Sequence, residues 1–105
     1  MRAALITRLD GPSAVEIGDL PEPTAPDGGV VIDVAYAGVC FPDVLLTRGE
    51  YQIKPDPPFV SGAEVSGVVR AVGAGSRFAV GDRVAAFPGF GGYAEQVAAP
   101  DAMVF

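Results

Sequence analysis

Glycine and proline interrupt this chain too often for long helices, with 14 glycines and 10 prolines spread over 105 residues. Between them lie short runs rich in Val, Ala, Ile and Phe. Runs of that kind closed by turn residues fold more readily as strands than as helices. The pattern predicts a mainly β fold, with strands at 2–7, 15–19, 30–37, 64–72, 83–87 and 93–98. Pro12, Pro21, Pro23, Pro26 and Pro100, and the cluster Pro55, Pro57 and Pro58, all fall outside those strands, where a missing backbone donor costs little. In VVIDVAYAGV, alternation puts Val30, Ile32, Val34 and Tyr36 on one face and Val31, Asp33, Ala35 and Ala37 on the other, the pattern of a half-buried strand. One short helix is expected at 43–48 after Pro42, with Val44, Leu45 and Leu46 on an apolar arc and Gly49 ending it. The proline-rich segment 52–58 reads as an extended surface loop.

A chain of this length buries roughly 65% of the surface its unfolded form exposes, enough for one domain with its own core. Hydrophobic residues at 50% and charged residues at 19% argue against disorder. The net charge of −6 and the scattering of Arg2, Arg8, Arg48, Lys54, Arg70, Arg77 and Arg83 argue against nucleic acid or an anionic membrane surface as partners. The single cysteine, Cys40, excludes an internal disulfide framework and suits a reducing compartment. The first apolar run is broken by Arg8, so neither a secretory signal nor a membrane span is read there, and a cytoplasmic location is expected.

The glycine motifs do not read as phosphate cradles. Gly89, Gly91 and Ala94 in GFGGYA satisfy the spacing of the dinucleotide fingerprint, but that motif must open a helix and be followed by an acidic residue about 20 positions on. Pro100 interrupts the segment, and a turn before a strand is predicted instead. In VGAGSRF, Phe78 stands where a third glycine would be needed, and Gly62 to Gly67 lacks the Lys-Ser/Thr of a phosphate loop. Gly73, Gly75 and Gly81 are expected to supply tight turns.

Taken together, AGVCFPDVLLTRGEY, PFVSGAEVSGVVRAVGAG, FAVGDRV and GGYAE resemble, in order and spacing, the catalytic GroES-like domain of the medium-chain dehydrogenase/reductase superfamily, over nearly the whole chain. Within it the sequence looks most like the zinc-independent quinone oxidoreductase branch. The resemblance implies a GroES-like, partly open β-barrel with one or two short helices occupying 1–105, with the nucleotide-binding Rossmann domain absent from this chain. That branch shows a G-V-N-F-x-D block where this sequence has Gly38-Val39-Cys40-Phe41-Pro42-Asp43. Zinc-dependent relatives place a cysteine ligand at the position of Cys40, and a histidine in a G-H-E block where this chain has Gly62-Ala63-Glu64. Catalytic zinc usually takes three protein ligands, and a chain with no histidine and one cysteine is expected to hold no metal. Carbonyl polarisation then falls to hydrogen bonds or to the acceptor's own electronics.

By the same resemblance, hydride would pass from NADPH to a quinone or activated enone at the edge of this domain. Tyr51 and Cys40 are the candidate catalytic residues, and Cys40, Phe41 and Asp43 are the candidates for contact with the cofactor. Each has a structural alternative. Tyr51 either donates to or stacks on a flat substrate, or packs as a loop tyrosine on Pro55 to Pro58. Cys40 is either a small residue after a strand or a reactive thiol. Asp43 caps the helix or holds the cleft loop. Glu64 hydrogen-bonds backbone amides or pairs with an arginine. With its cofactor half elsewhere, the chain alone is expected to bind dinucleotide weakly, to be inactive, and to self-associate through an exposed cleft face. Two other readings share the architecture: a non-catalytic GroES-like interaction module and an enoyl-thioester reductase.

Overall fold

The computed structural model describes residues 1–52 and 54–105. Among them are seven strands, β1 (Arg2–Ile6), β2 (Val15–Asp19), β3 (Gly29–Gly38), β4 (Phe59–Val60), β5 (Glu64–Val72), β6 (Arg83–Ala86) and β7 (Gln96–Pro100), and one α-helix, α1 (Phe41–Arg48). Short 3-10 turns at Pro12–Ala14 and Asp101–Met103 complete the regular structure. The strands form two sheets, ordered β2-β1-β4 and β6-β5-β3-β7, with antiparallel pairing throughout. Among the described residues no strand ladder joins one sheet to the other, so the barrel is partly open, as expected.

The long strands carry the core. Val30 and Ile32 on β3, Val65 and Val69 on β5, Val84 on β6 and Val97 on β7 bury one continuous aliphatic cluster inside the four-stranded sheet. A smaller cluster of Ile6, Leu46 and Phe59 pins α1 to the three-stranded sheet. Leu46 is buried, whereas Val44 is 37% exposed, so the apolar arc predicted for the helix narrows to one anchoring residue.

Simple alternation does not hold along β3. Val30, Val31 and Ile32 are all buried, and Tyr36 is 78% exposed although alternation groups it with Val30 and Ile32. Two register shifts against β5, between Val31 and Ile32 and between Val34 and Tyr36, break the two-residue period. The first half of β3 is paired on both edges, by β5 and by β7, and side chains on both of its faces are buried there. Gly73 keeps an ordinary φ and does not supply a left-handed turn. It is required because the carbonyl of Pro26 occupies the space a Cβ would need. Gly75 and Gly81 lie in turns, as predicted, both with positive φ.

The last strand begins later than the sequence indicates, at Gln96, and it ends on Pro100. Residues 89–93 are already engaged elsewhere: Gly89, Gly91, Gly92 and Tyr93 donate their N–H groups to the carbonyls of Ala63, Val60, Gly62 and Ser61, at 3.2, 2.8, 2.9 and 3.0 Å. This pairing answers what GFGGYA is for. A Cβ on Gly92 would stand 2.8 Å from the Gly62 oxygen, and one on Gly62, at φ 104°, would stand 2.7 Å from the Tyr93 nitrogen. The two glycine segments approach backbone to backbone, and no helix follows them. Pro100 is tolerated in β7 because it sits at the strand's last position, opposite Gly29. β4 escaped prediction because two residues are too short to alternate. The loop at 52–58 contains no regular element among its described residues, and Ile53 within it lies outside the described residues.

Candidate active site

The helix starts where the resemblance places the site. Cys40 is its N-cap, in extended conformation at φ −118° and ψ 158°, with Pro42 in the first turn and Asp43 at the third helical position. The cap is reciprocal: the Cys40 N–H donates to Asp43 Oδ2 at 2.8 Å, and the Asp43 N–H donates to the Cys40 carbonyl at 3.1 Å. Gly49, left-handed at φ 68°, closes the other end. A carboxylate in the first turn also complements the positive end of the helix dipole.

Asp43 is 5% exposed, and a carboxylate buried that deeply needs donors. It has three. Besides the Cys40 N–H, the Tyr93 hydroxyl donates to Oδ2, and the Ser61 hydroxyl reaches Oδ1 at 3.5 Å. The Tyr93 hydroxyl also lies 3.1 Å from the Gly38 carbonyl. A phenol has one proton, and the charged acceptor holds it more strongly than the neutral one. Asp43, Ser61 and Tyr93 share the wall of a cavity of about 240 Å³ with Ile6, Val15 and Val44. Such apolar surroundings strengthen the hydrogen bonds within the cluster. Burial, first, and then the hydrogen bond and charge of Asp43, with smaller contributions from Cys40 and Glu64, push the Tyr93 phenol far above the ordinary tyrosine range. It remains a donor at every physiological pH.

Cys40 is half-buried, between two exposed apolar neighbours, Val39 at 86% and Phe41 at 79%. Its thiol is pushed up by desolvation, then by the charge of Glu64 and a hydrogen bond to that side chain, and last by the charge of Asp43. Cys40 is therefore a protonated thiol near neutrality. Among the described residues Glu64 has neither of its expected partners. It pairs with no arginine among the described residues, and its carboxylate lies against Gly38 and the Cys40 thiol, filling the space a Gly38 side chain would take.

The structure thus brings together Cys40, Phe41 and Asp43 at the start of α1, while Tyr51 follows the far end of the same helix. The Tyr51 ring packs against the Ile6, Leu46 and Phe59 cluster, half-buried, and it makes no hydrogen bond to Cys40, Asp43 or Tyr93 among the described residues. Tyr93 and Ser61 belong to the group although sequence reasoning gave them no role. Tyr93 is separated from Asp43 by 50 residues and Ser61 by 18, so no local spacing signals either contact. No group of three or more His, Cys, Asp or Glu side chains is placed to hold a metal ion among the described residues.

Residues 26–105 match the alcohol dehydrogenase GroES-like domain, and the chain belongs to that domain family. More narrowly, it is similar to quinone oxidoreductases. The quinone oxidoreductase-like protein 2 of Mus musculus is 43% identical over 96 residues, which are 90% of this chain and 27% of the mouse protein. The crystal structure of a probable oxidoreductase from Mycobacterium abscessus matches with a TM-score of 0.93 at 48% identity, over 100% of this chain and 34% of that one. The quinone oxidoreductase of Thermus thermophilus, whose complex with NADPH is also known, matches with a TM-score of 0.82 at 41% identity, over 100% of this chain and 32% of its own. The chain spans about a third or less of the length of these relatives. The resemblance to the catalytic GroES-like domain of the medium-chain dehydrogenase/reductase superfamily, on its quinone oxidoreductase side, is thereby established.

Proposed function

We propose that this chain is the substrate-side domain of a zinc-independent oxidoreductase that transfers hydride from NADPH to a quinone or activated enone in the cytoplasm. The observation that carries this reading is the buried Asp43 network, which fixes Cys40 and Phe41 on an exposed apolar lip. A module used only as a scaffold has no evident need for a carboxylate sealed beneath an exposed Val39-Cys40-Phe41 edge.

The fit to a dinucleotide is partial. The N–H groups of Gly89 and Gly91, which a pyrophosphate would need, are already given to the carbonyls of Ala63 and Val60. What the chain offers is the apolar lip of Val39 and Phe41 beside the Cys40 thiol, suited to the nicotinamide end alone. The phosphates and adenosine then require a second domain. Bound NADPH supplies the hydride. Asp43 holds the lip in place through the Cys40 N–H. Cys40, kept protonated, is a weak donor and not a nucleophile. Tyr51, its ring fixed by Leu46 and Phe59, is the candidate donor to the acceptor oxygen as negative charge builds there. A quinone or enone spreads that charge through conjugation and so needs only such modest assistance.

The test is a chimera in which this chain replaces the matching segment of the Mycobacterium abscessus relative. Oxidation of NADPH by a panel of quinones and enones is expected, and Tyr51→Phe lowers its rate. A chimera that binds NADPH but turns over none of the panel refutes the reading, and unchanged kinetics in the Phe variant return Tyr51 to a packing role.

A further inference from the structure

We propose that Tyr93 is a positioning residue for this site: by donating its hydroxyl to Asp43, it ties the 89–93 segment to the first turn of α1 and sets where Cys40 and Phe41 stand. Its kinetic consequence rests on the oxidoreductase reading above, while its structural consequence does not.

Three features of the geometry lead here. First, the turn that carries Cys40 and Phe41 has few other anchors. Phe41 is exposed, Pro42 has no N–H to donate, and the Cys40 N–H ends on the same Oδ2 that Tyr93 serves. Second, the Tyr93 backbone is fixed independently of the helix. Its N–H donates to the Ser61 carbonyl at 3.0 Å, its carbonyl accepts from the Ala4 N–H at 2.8 Å, and its neighbour Gly92 is closed against Gly62. The phenol therefore projects from a rigid frame onto a carboxylate that would otherwise be held mainly from its own helix. Third, the alternative support is weak, because the Ser61 hydroxyl stands 3.5 Å from Oδ1. Of the two hydroxyls that reach Asp43 from the sheet framework among the described residues, Tyr93 is the closer.

The groups facing the phenol are Asp43 on α1, Cys40 at its cap, Glu64 at the start of β5 and the Gly38 carbonyl at the end of β3. All are acceptors or acids, with no cation among them, so the hydroxyl is the only side-chain donor of short reach to Oδ2 among the described residues.

Hydrogen exchange on the 105-residue chain separates this role from general support of the fold. Tyr93→Phe keeps the ring and removes only the tie. Protection of the Cys40 and Asp43 amides is expected to fall by about tenfold or more, as for a lost hydrogen bond to a charged group. Amides in the β3 and β5 ladder, such as Val31 and Val69, should keep theirs. Ser61→Ala, which removes the longer contact, should produce a smaller loss at the same two amides. Unchanged exchange at Cys40 and Asp43, or a uniform loss across the sheet, overturns the proposal. In the chimera, the same Phe variant is expected to lower kcat about tenfold with the KM for NADPH held within about twofold, as for a misplaced reacting edge. A fall in protection alongside unaltered kcat would remove Tyr93 from catalysis. An inactive wild-type chimera would refute the oxidoreductase reading and leave the exchange result to decide the tie.

Discussion

At the scale of single residues, two carboxylates with opposite exposure stand beside one thiol. Asp43 is buried and fully partnered, and Glu64 is exposed and leans on the Cys40 sulfur. The thiol is raised because its burial and both carboxylates disfavour a thiolate, Glu64 more than Asp43. The sign of the pH dependence follows. An unfolded chain releases the Cys40 proton at the ordinary cysteine value and the native chain only above it, so stability falls as pH climbs through that window. Because Cys40 is the sole cysteine, alkylation by iodoacetamide reports on it alone. Glu64→Gln should lower the midpoint of the alkylation profile and speed labelling at about pH 8 by a few-fold, as expected when a neighbouring like charge is removed. An unmoved midpoint would show that Glu64 does not act on the thiol. The sequence made Cys40, Phe41 and Asp43 legible because they sit within four residues on one turn. Tyr93 and Ser61 were not legible, because their approach to Asp43 depends on pairing between 60–63 and 89–93 that no local pattern encodes.

Elements were readable where one periodicity governs them. β2 and β5 match their predicted bounds, and α1 is bounded by a proline in its first turn and a left-handed glycine at its end. β3 and β7 departed from expectation because tertiary pairing overrode the local pattern, through register shifts in one and the glycine segment pairing in the other. Gly67 shows how tightly β5 is held. It sits opposite Val34, next to a register shift, and the Asp33 carbonyl fills the space a Cβ would need. The obstruction is backbone, which cannot swing aside like a side chain. Gly67→Ala should therefore destabilise the chain by about 2 kcal/mol or more, as overpacking does, measured by urea unfolding with an unchanged m-value. Alanine tolerated without loss would mean that β3 and β5 lie further apart than described.

At the scale of the whole molecule, several large apolar groups face solvent. Tyr36, Val39, Phe41 and Phe105 are each at least 75% exposed, and Tyr36, Phe87 and Phe105 line one open depression of about 390 Å³. If they act as one contact face, copies of the chain associate through it. Sedimentation velocity on the chain alone should show mass rising with concentration, and Phe105→Ser should weaken that rise. A strict monomer over a wide range of concentration would contradict the exposed-face account. No helix among the described residues is long and apolar enough to cross a membrane. In the chimera supplied with NADPH deuterated at the transferred position of nicotinamide C4, an enone acceptor should be reduced more slowly than with ordinary NADPH and should carry the deuterium at its β-carbon. A chimera that oxidises the cofactor while the reduced enone carries no deuterium there would contradict direct transfer at this site.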